Sequence, residues 1–372
     1  MSGPLTSLKV VEFTGLGPAP LAGQLLADLG ADVTVIDRAT AAPDPTDINR
    51  RGKKSIVLNL KTPLGRAAAQ KIVAASDVLI EGFRPGVMER LGLGPDDCPE
   101  HLIYGRMTGW GQTGPKAQTA GHDINYLAMT GALHAIGPAD RPPVVPLNLV
   151  ADFGGGTMFL LLGLLSAVIE RGVSGKGQIV DAAMVDGVPA MMGLIHSMVA
   201  QGNWQRNRSA NWLDGASHFY RCYECADGKY IAVGALEPQF FAELVAVSGV
   251  EGIELDAQFD TARWPEQQTI FAKHFKQRSR DDWAALFEGT DACVAPVLEF
   301  GETAQHPFNA VREAYHDVDG VMQARAAPRF SRSLPPMPDP PRAPGADTVE
   351  VLKSLGFDDD QLAAMRASGA IT

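Results

Sequence analysis

Three segments of this chain place acid–base groups where a ligand could reach them. Gly121-His122-Asp123-Ile124-Asn125-Tyr126, flanked by Gly109-Trp110-Gly111 and Gly131, gathers ionisable and hydrogen-bonding side chains in a glycine-punctuated stretch. An imidazole in such a place is either a satisfied structural histidine or a group that titrates near neutrality and moves protons. Asp152 stands in Asn148-Leu-Val-Ala-Asp152-Phe-Gly154-Gly155-Gly156, directly before an apolar run that starts at Thr157. A carboxylate there caps a helix or complements its dipole. Three successive glycines also let a ligand approach the backbone and leave N–H groups free to meet developing negative charge. Glu237, in Gly234-Ala-Leu-Glu237-Pro238, ends a strand that Pro238 blocks, and is either a solvated surface carboxylate or a third functional acid.

The elements that must position these groups alternate. Val10 to Phe13, Val33 to Asp37, Ser55 to Leu58, Val78 to Glu81 and Leu102 to Arg106 read as short buried strands, with helices at Leu21 to Leu29 and Pro63 to Ala75. That pattern predicts a parallel α/β sheet. A helix is expected from Thr157 to Arg171, ending at Gly172, and a longer one from Asp181 to Val199, interrupted near Pro189. Composition changes after the polar stretch Gln201 to Asn211. Phe219 to Cys225 and Lys229 to Val233 then form a hairpin about Asp227-Gly228, followed by amphipathic helices at Gln239 to Val247, Gln267 to Lys276 and Arg280 to Phe287. Ala327 to Gly345 is Pro-rich and reads as an extended linker before a short helical tail.

Composition excludes several classes. The 372 residues suit two domains, and a net charge of -11 disfavours nucleic acid, whose phosphates are bound by fields of Lys and Arg. Four scattered cysteines make no disulfide framework, and the lone Cys222-x-x-Cys225 lacks the second pair of a zinc ribbon, so no metal is expected. No signal layout opens the chain, and the apolar run Thr157 to Ile169 is too short to span a bilayer, so a soluble, cytoplasmic protein without a membrane partner is expected. Gly15-x-Gly17 after a strand, with Asp37 twenty residues beyond Gly17, imitates a dinucleotide fingerprint, but Pro20 stands where the third glycine is required. Gly172-Val-Ser-Gly175-Lys176-Gly177 imitates a phosphate loop, yet it follows a helix and reads as a helix-to-strand turn.

The order Gly-His122-Asp-Ile-Asn-Tyr, Pro146-Leu-Asn148-Leu-x-Ala-Asp152-Phe, Asp214-Gly215, Gly234-Ala-x-Glu237-Pro-Gln239-Phe and Gly289-Thr-Asp-Ala-Cys293-Val-x-Pro-Val resembles the α-methylacyl-CoA racemases, within the wider type III CoA transferases (CaiB/BaiF-like). The likeness runs nearly end to end and includes Leu26-Ala27-Asp28-x-Gly30-Ala31, Arg51-Gly52-Lys53, Leu58-Asn59-Leu60-Lys61 and Phe83-Arg84-x-Gly86-Val87-Met88. The resemblance implies a Rossmann-like large domain with a parallel sheet, residues 1–195 with 330–372, and a smaller α+β domain, residues 219–315. A linker at 196–218 and a Pro-rich return at 316–345 join them, and two chains form an interlocked homodimer. By the same resemblance His122 and Asp152 are the proton-transfer pair, and Glu237 orients His122. Arg38, Leu58, Asn59, Leu60, Lys61, Arg84, Gly121, Asp123, Ile124, Asn125 and Tyr126 correspond to the CoA site. Charge agrees: Arg38, Arg50, Arg51, Lys53, Lys54, Lys61 and Arg84 make the one markedly basic stretch of an acidic chain, as diphosphate recognition needs.

The implied reaction belongs to lipid and fatty acid metabolism: epimerisation of a 2-methyl-branched acyl-CoA at its α-carbon, with no cofactor beyond the CoA of the substrate. Inverting that carbon through an enolate needs a base on one face and a proton donor on the other. His, near 6.5, suits the base, whereas an Asp near 3.9 must be raised by burial to hold a proton. The alternative is a type III CoA transferase in which Asp152 attacks the thioester carbonyl. His122 and Glu237 favour the first, because the nucleophilic route requires no second base.

Overall fold

Six short strands rich in Val and Ile form one parallel sheet: β1 (Lys9–Phe13), β2 (Asp32–Asp37), β3 (Lys54–Val57), β4 (Val78–Glu81), β5 (Ile103–Thr108) and β6 (Ile179–Ala183). Their order is β3-β2-β1-β4-β5-β6, with Val11 opposite Thr34 on one side and Leu79 on the other. Residues of β1, β3 and β4 are buried on both faces, as a sheet covered by helices requires. Parallel neighbours need crossovers, which α1 (Pro18–Asp28) and α2 (Pro63–Ala74) supply. Proline opens each helix where its missing N–H costs nothing, and Thr62 Oγ1 caps α2 by accepting from Gly65 N at 3.0 Å.

The computed structural model describes residues 3–372 and divides the chain into two compact units. The larger comprises residues 1–130, 147–191 and 310–372; the smaller comprises 131–146 and 192–309. The excursion 131–146 thus groups with the smaller unit, which a partition at residue 195 does not include.

Beyond β5 the larger unit continues through α3 (Asp123–Met129), a π-helical segment (Leu149–Thr157), α4 (Met158–Ser174) and α5 (Met184–Met191). Here the expected boundaries move. Gly172 lies inside α4, and the left-handed residue that ends it is Gly175, at φ 76°. The helix expected from Asp181 begins instead as β6, because its Ile-Val-Asp-Ala-Ala run pairs with β5. Pro189 stays within α5, and the break falls at Met192. The π-helical segment and α4 together make Leu149–Ser174 a 26-residue helix, the one among the described residues long and apolar enough to cross a membrane; the expected run was shorter. Its Leu160 and Leu164 are buried over Gly105 of β5, where a Cβ would come within 3.1 Å of both.

The smaller unit holds α6 (Gly193–Ala200), β7 (Tyr220–Glu224), β8 (Tyr230–Gly234), α7 (Pro238–Ser248), α8 (Trp264–Phe275), α9 (Arg280–Phe287) and β9 (Val294–Pro296). Its sheet is antiparallel, in the order β7-β8-β9, and Gly228 takes φ 76° in the hairpin turn. Phe219, Tyr223, Phe241, Phe271, Phe275 and Trp283 fill its core with edge-on and stacked rings.

The chain then returns to the larger unit. A hairpin of β10 (Tyr315–Val318) and β11 (Val321–Ala324) stands in the stretch expected to be linker, and residues 327–345 carry no helix or strand. The helices α10 (Thr348–Ser354) and α11 (Asp359–Ala367) bring Leu352, Leu362 and Met365 into the same core as Phe13, Ile56 and Leu79. Asp347 and Thr348 accept from Ser55 N at 2.8 Å and Val57 N at 3.0 Å, so they pair the otherwise open edge of β3.

Candidate active site

Because β1 to β5 run parallel, the segments following them gather at one edge of the sheet: Gly15–Gly17, Arg38, Asn59–Lys61, Arg84 and the Gly109–Tyr126 stretch. Open α/β sheets bind ligands at this edge. His122 and Asp123 lie in the last of these segments, and Asp152 is held to it through Asp123.

His122 is the N-cap of α3 in extended backbone, φ -135° and ψ 173°. Its N–H donates to Asn125 Oδ1 at 3.0 Å and its carbonyl accepts from Asn125 N at 2.8 Å, which fixes the main chain. The residue is exposed, and its ring makes no hydrogen bond among the described residues. Tyr126 braces the loop: its hydroxyl donates to Gly121 O at 2.5 Å and its ring meets Trp110 edge-on at 4.8 Å. That ring fills the space of a side chain at Gly109, where a Cβ would lie 2.0 Å from it. Asp123 turns inward, 5% exposed, and its Oδ2 accepts from Ala151 N and Asp152 N, each at 2.8 Å. One carboxylate therefore staples the segment bearing Asp152 to the loop bearing His122.

Asp152 is half-buried, and burial lifts its carboxyl above the ordinary aspartate range. The Asn148 amide, 3.4 Å from Oδ2, and the His122 imidazole pull it down, while the Asp123 carboxylate adds to the rise. The His122 imidazole is thus near enough for its charge to act on Asp152. Gly17, at φ 70° before α1, brings its bare backbone to the same carboxylate; a Cβ there would stand 3.5 Å from Oδ2. The glycines after Asp152 serve differently from the expectation of free N–H groups. Gly155 and Gly156 face Val188 and Met184, and a Cβ on Gly187 would reach 1.9 Å from Gly155 O, so they permit close helix packing.

The basic stretch is largely spent, which corrects its reading as one diphosphate cluster. Arg50 pairs with Asp37 at 2.5 Å, Arg51 with Asp28 at 2.6 Å, Lys53 with Glu12 at 2.6 Å and Lys54 with Asp32 at 2.9 Å. Arg51, Lys53 and their partners are buried, where losing one charge strands the other. Asp37 also accepts from Thr14 Oγ1 and Ser55 Oγ. Arg38, Lys61 and Arg84 are exposed and without an ion pair among the described residues. Of the other candidates, Leu58 belongs to the core, Asn59 holds the returning chain through Ala370 O and Gly369 O, Leu60 is half-buried, and Ile124 and Asn125 are exposed.

Glu237 lies in the smaller unit, exposed at the N-cap of α7, with a side chain that makes no capping bond. Cys225 is buried in the turn between β7 and β8 while Cys222 is exposed, and among the described residues no cluster of three His, Cys, Asp or Glu could hold a metal. Sequence reasoning overlooked Asn148, Gly17 and the staple made by Asp123. Only the four-residue spacing from Asn148 to Asp152, one turn of a helix, signalled any of them.

A model of CoA-transferase family III matches residues 5–348. The chain is 42% identical over 365 residues to alpha-methylacyl-CoA racemase of Mus musculus, covering 96% of this chain and 95% of that protein. It is 40% identical over 364 residues to the Homo sapiens alpha-methylacyl-CoA racemase, with the same shares covered. Among solved structures, a CAIB/BAIF family protein from Brucella suis superposes with a TM-score of 0.81 at 26% identity, covering 95% of this chain and 100% of that one. With a family model matched over most of its length and relatives similar along nearly their whole length, this chain belongs to CoA-transferase family III.

Proposed function

We propose that the protein epimerises 2-methyl-branched acyl-CoA thioesters by moving one proton at the α-carbon. The observation that carries this reading is an exposed imidazole without hydrogen bonds among the described residues, on a main chain held by Asn125 and close to a carboxyl raised by burial. A neutral His122 takes the α-proton from one epimer and a protonated Asp152 returns a proton to the opposite face; the roles exchange for the other epimer. Burial is what keeps Asp152 able to hold a proton closer to neutrality. Asp123 keeps the pair in register, which preserves the reacting geometry. Glu237 is the third group assigned to the proton transfer. Arg38, Lys61 and Arg84 are the unspent cations assigned to the CoA phosphates. CoA enters as part of the substrate, and a homodimer is the assigned working form.

The test is incubation of a single epimer of a 2-methylacyl-CoA in deuterium oxide. The other epimer should appear carrying deuterium at the α-carbon, and His122→Ala and Asp152→Asn should each abolish it. Acyl transfer to formate or succinate, with no α-exchange, would establish Asp152 as a nucleophile and replace this reading.

A further inference from the structure

The smaller unit presents Glu237 on a turn whose main chain is held at almost every step while the carboxylate itself is unspent. Gly234 N donates to Cys293 O at 2.9 Å, and Leu236 N donates to Gly234 O at 3.0 Å. Glu237 O accepts from Phe241 N at 2.9 Å. The two remaining carbonyls, Ala235 O and Leu236 O, both accept from one side-chain nitrogen, Gln258 Nε2, at 3.1 and 2.9 Å. Gln258 is 2% exposed, and its own carbonyl accepts from Trp264 Nε1 at 2.8 Å.

Two features cost stability without serving the core. Gln258 Oε1 is buried with no partner among the described residues, a desolvation cost that comes with the amide whose Nε2 holds Ala235 O and Leu236 O. Cys293 takes φ 54°, a left-handed backbone that a residue with a Cβ rarely adopts, at the point where its carbonyl meets Gly234. Both costs fall on groups that grip the same four residues. Glu237 meanwhile occupies an N-cap position, where an acidic side chain would ordinarily bend back to the helix, and it makes no such bond.

We infer that Gln258 is a positioning residue for the proton transfer, clamping the Gly234–Glu237 turn so that the Glu237 carboxylate is displayed in one orientation. The inference rests on the assignment of Glu237 to that reaction. The clamp uses both amide hydrogens of Nε2 on successive carbonyls, which neither a shorter nor an aliphatic side chain can reproduce.

The experiment measures α-deuterium exchange and epimerisation by the full-length protein carrying Gln258→Met, alone and combined with Glu237→Gln. Gln267→Met is the control, since Gln267 is 1% exposed on α8 and its amide makes no hydrogen bond to the turn or to any other group among the described residues. Gln258→Met should lower kcat about 10- to 100-fold with KM changed less than about twofold, the scale of a misplaced reacting group. It should add no further loss once Glu237 is already Gln, and Gln267→Met should turn over as the parent does. Should the Met variant not fold, Gln258→Asn, which keeps the amide and shortens its reach, should give the same pattern. Full turnover by a folded Gln258 variant beside an impaired Glu237→Gln overturns the clamp alone, as does an equal loss in both backgrounds. Full turnover by Glu237→Gln overturns the assignment of Glu237 and the clamp with it.

Discussion

His218 makes the acid stability of the smaller unit measurable. Its ring is fully buried, neither nitrogen has a hydrogen-bond partner among the described residues, and it stacks on Phe271 with Phe219 and Phe241 edge-on around it. Burial lowers its pKa from 6.5 to about 4, because the charged form would lie among aromatic rings with no compensating acceptor. A folded value below the unfolded one means that the unfolded chain takes up the proton first as pH falls. The stabilisation is therefore fully present above pH 6.5 and is lost between 6.5 and about 4, where it amounts to about 3 kcal/mol. His218→Leu removes the titrating group while keeping an apolar side chain of similar volume. Four of the five tryptophans, Trp204, Trp212, Trp264 and Trp283, lie in the smaller unit, so urea unfolding followed by tryptophan fluorescence reports mainly on it. The parent and variant should differ little at pH 7.5, and by pH 4.5 the variant should be more stable by about 2 kcal/mol or more. Parallel losses in both proteins from pH 7.5 to 4.5 would refute the reasoning.

Four further outcomes follow from the larger unit. Asp123→Ala frees Ala151 N and Asp152 N and should lower kcat about 10- to 100-fold with acyl-CoA binding retained by calorimetry. Asn148→Ala removes an amide that lowers the Asp152 pKa, so the acid limb of kcat/KM, measured in the direction where Asp152 is the base, should move to higher pH. Gly187→Ala drives a methyl into Gly155 O and should destabilise the unit by about 1–3 kcal/mol in chemical denaturation. Gly172→Ala in α4, with nothing within 4 Å, should instead stabilise it by about 0.5–1 kcal/mol.

The alternation of Val- and Ile-rich runs with helices was legible because burying both faces of a parallel strand demands continuous apolar residues, which needs no knowledge of neighbours. β1 to β4 and the β7–β8 hairpin therefore fall within one or two residues of the positions read from sequence. β6 escaped because Ile179–Ala183 runs into the helix starting at Met184 with no turn residue between them, and pairing with β5 is what makes it a strand. His122 and Asp152 stood out by residue type and glycine context. What no local pattern carries is which charges cancel: Arg50, Arg51, Lys53 and Lys54 read as a ligand-binding cluster until the fold brings Asp37, Asp28, Glu12 and Asp32 to them. The same holds for Asp123, which the resemblance assigns to the CoA site and whose part as a staple shows only when folding sets it beneath the Ala151 and Asp152 amides. Sequence alone thus determined the periodicities and the chemical inventory. Tertiary structure alone decided which of those groups were neutralised, which were buried and which stayed free to react, because Coulomb attraction and desolvation depend on distance in space.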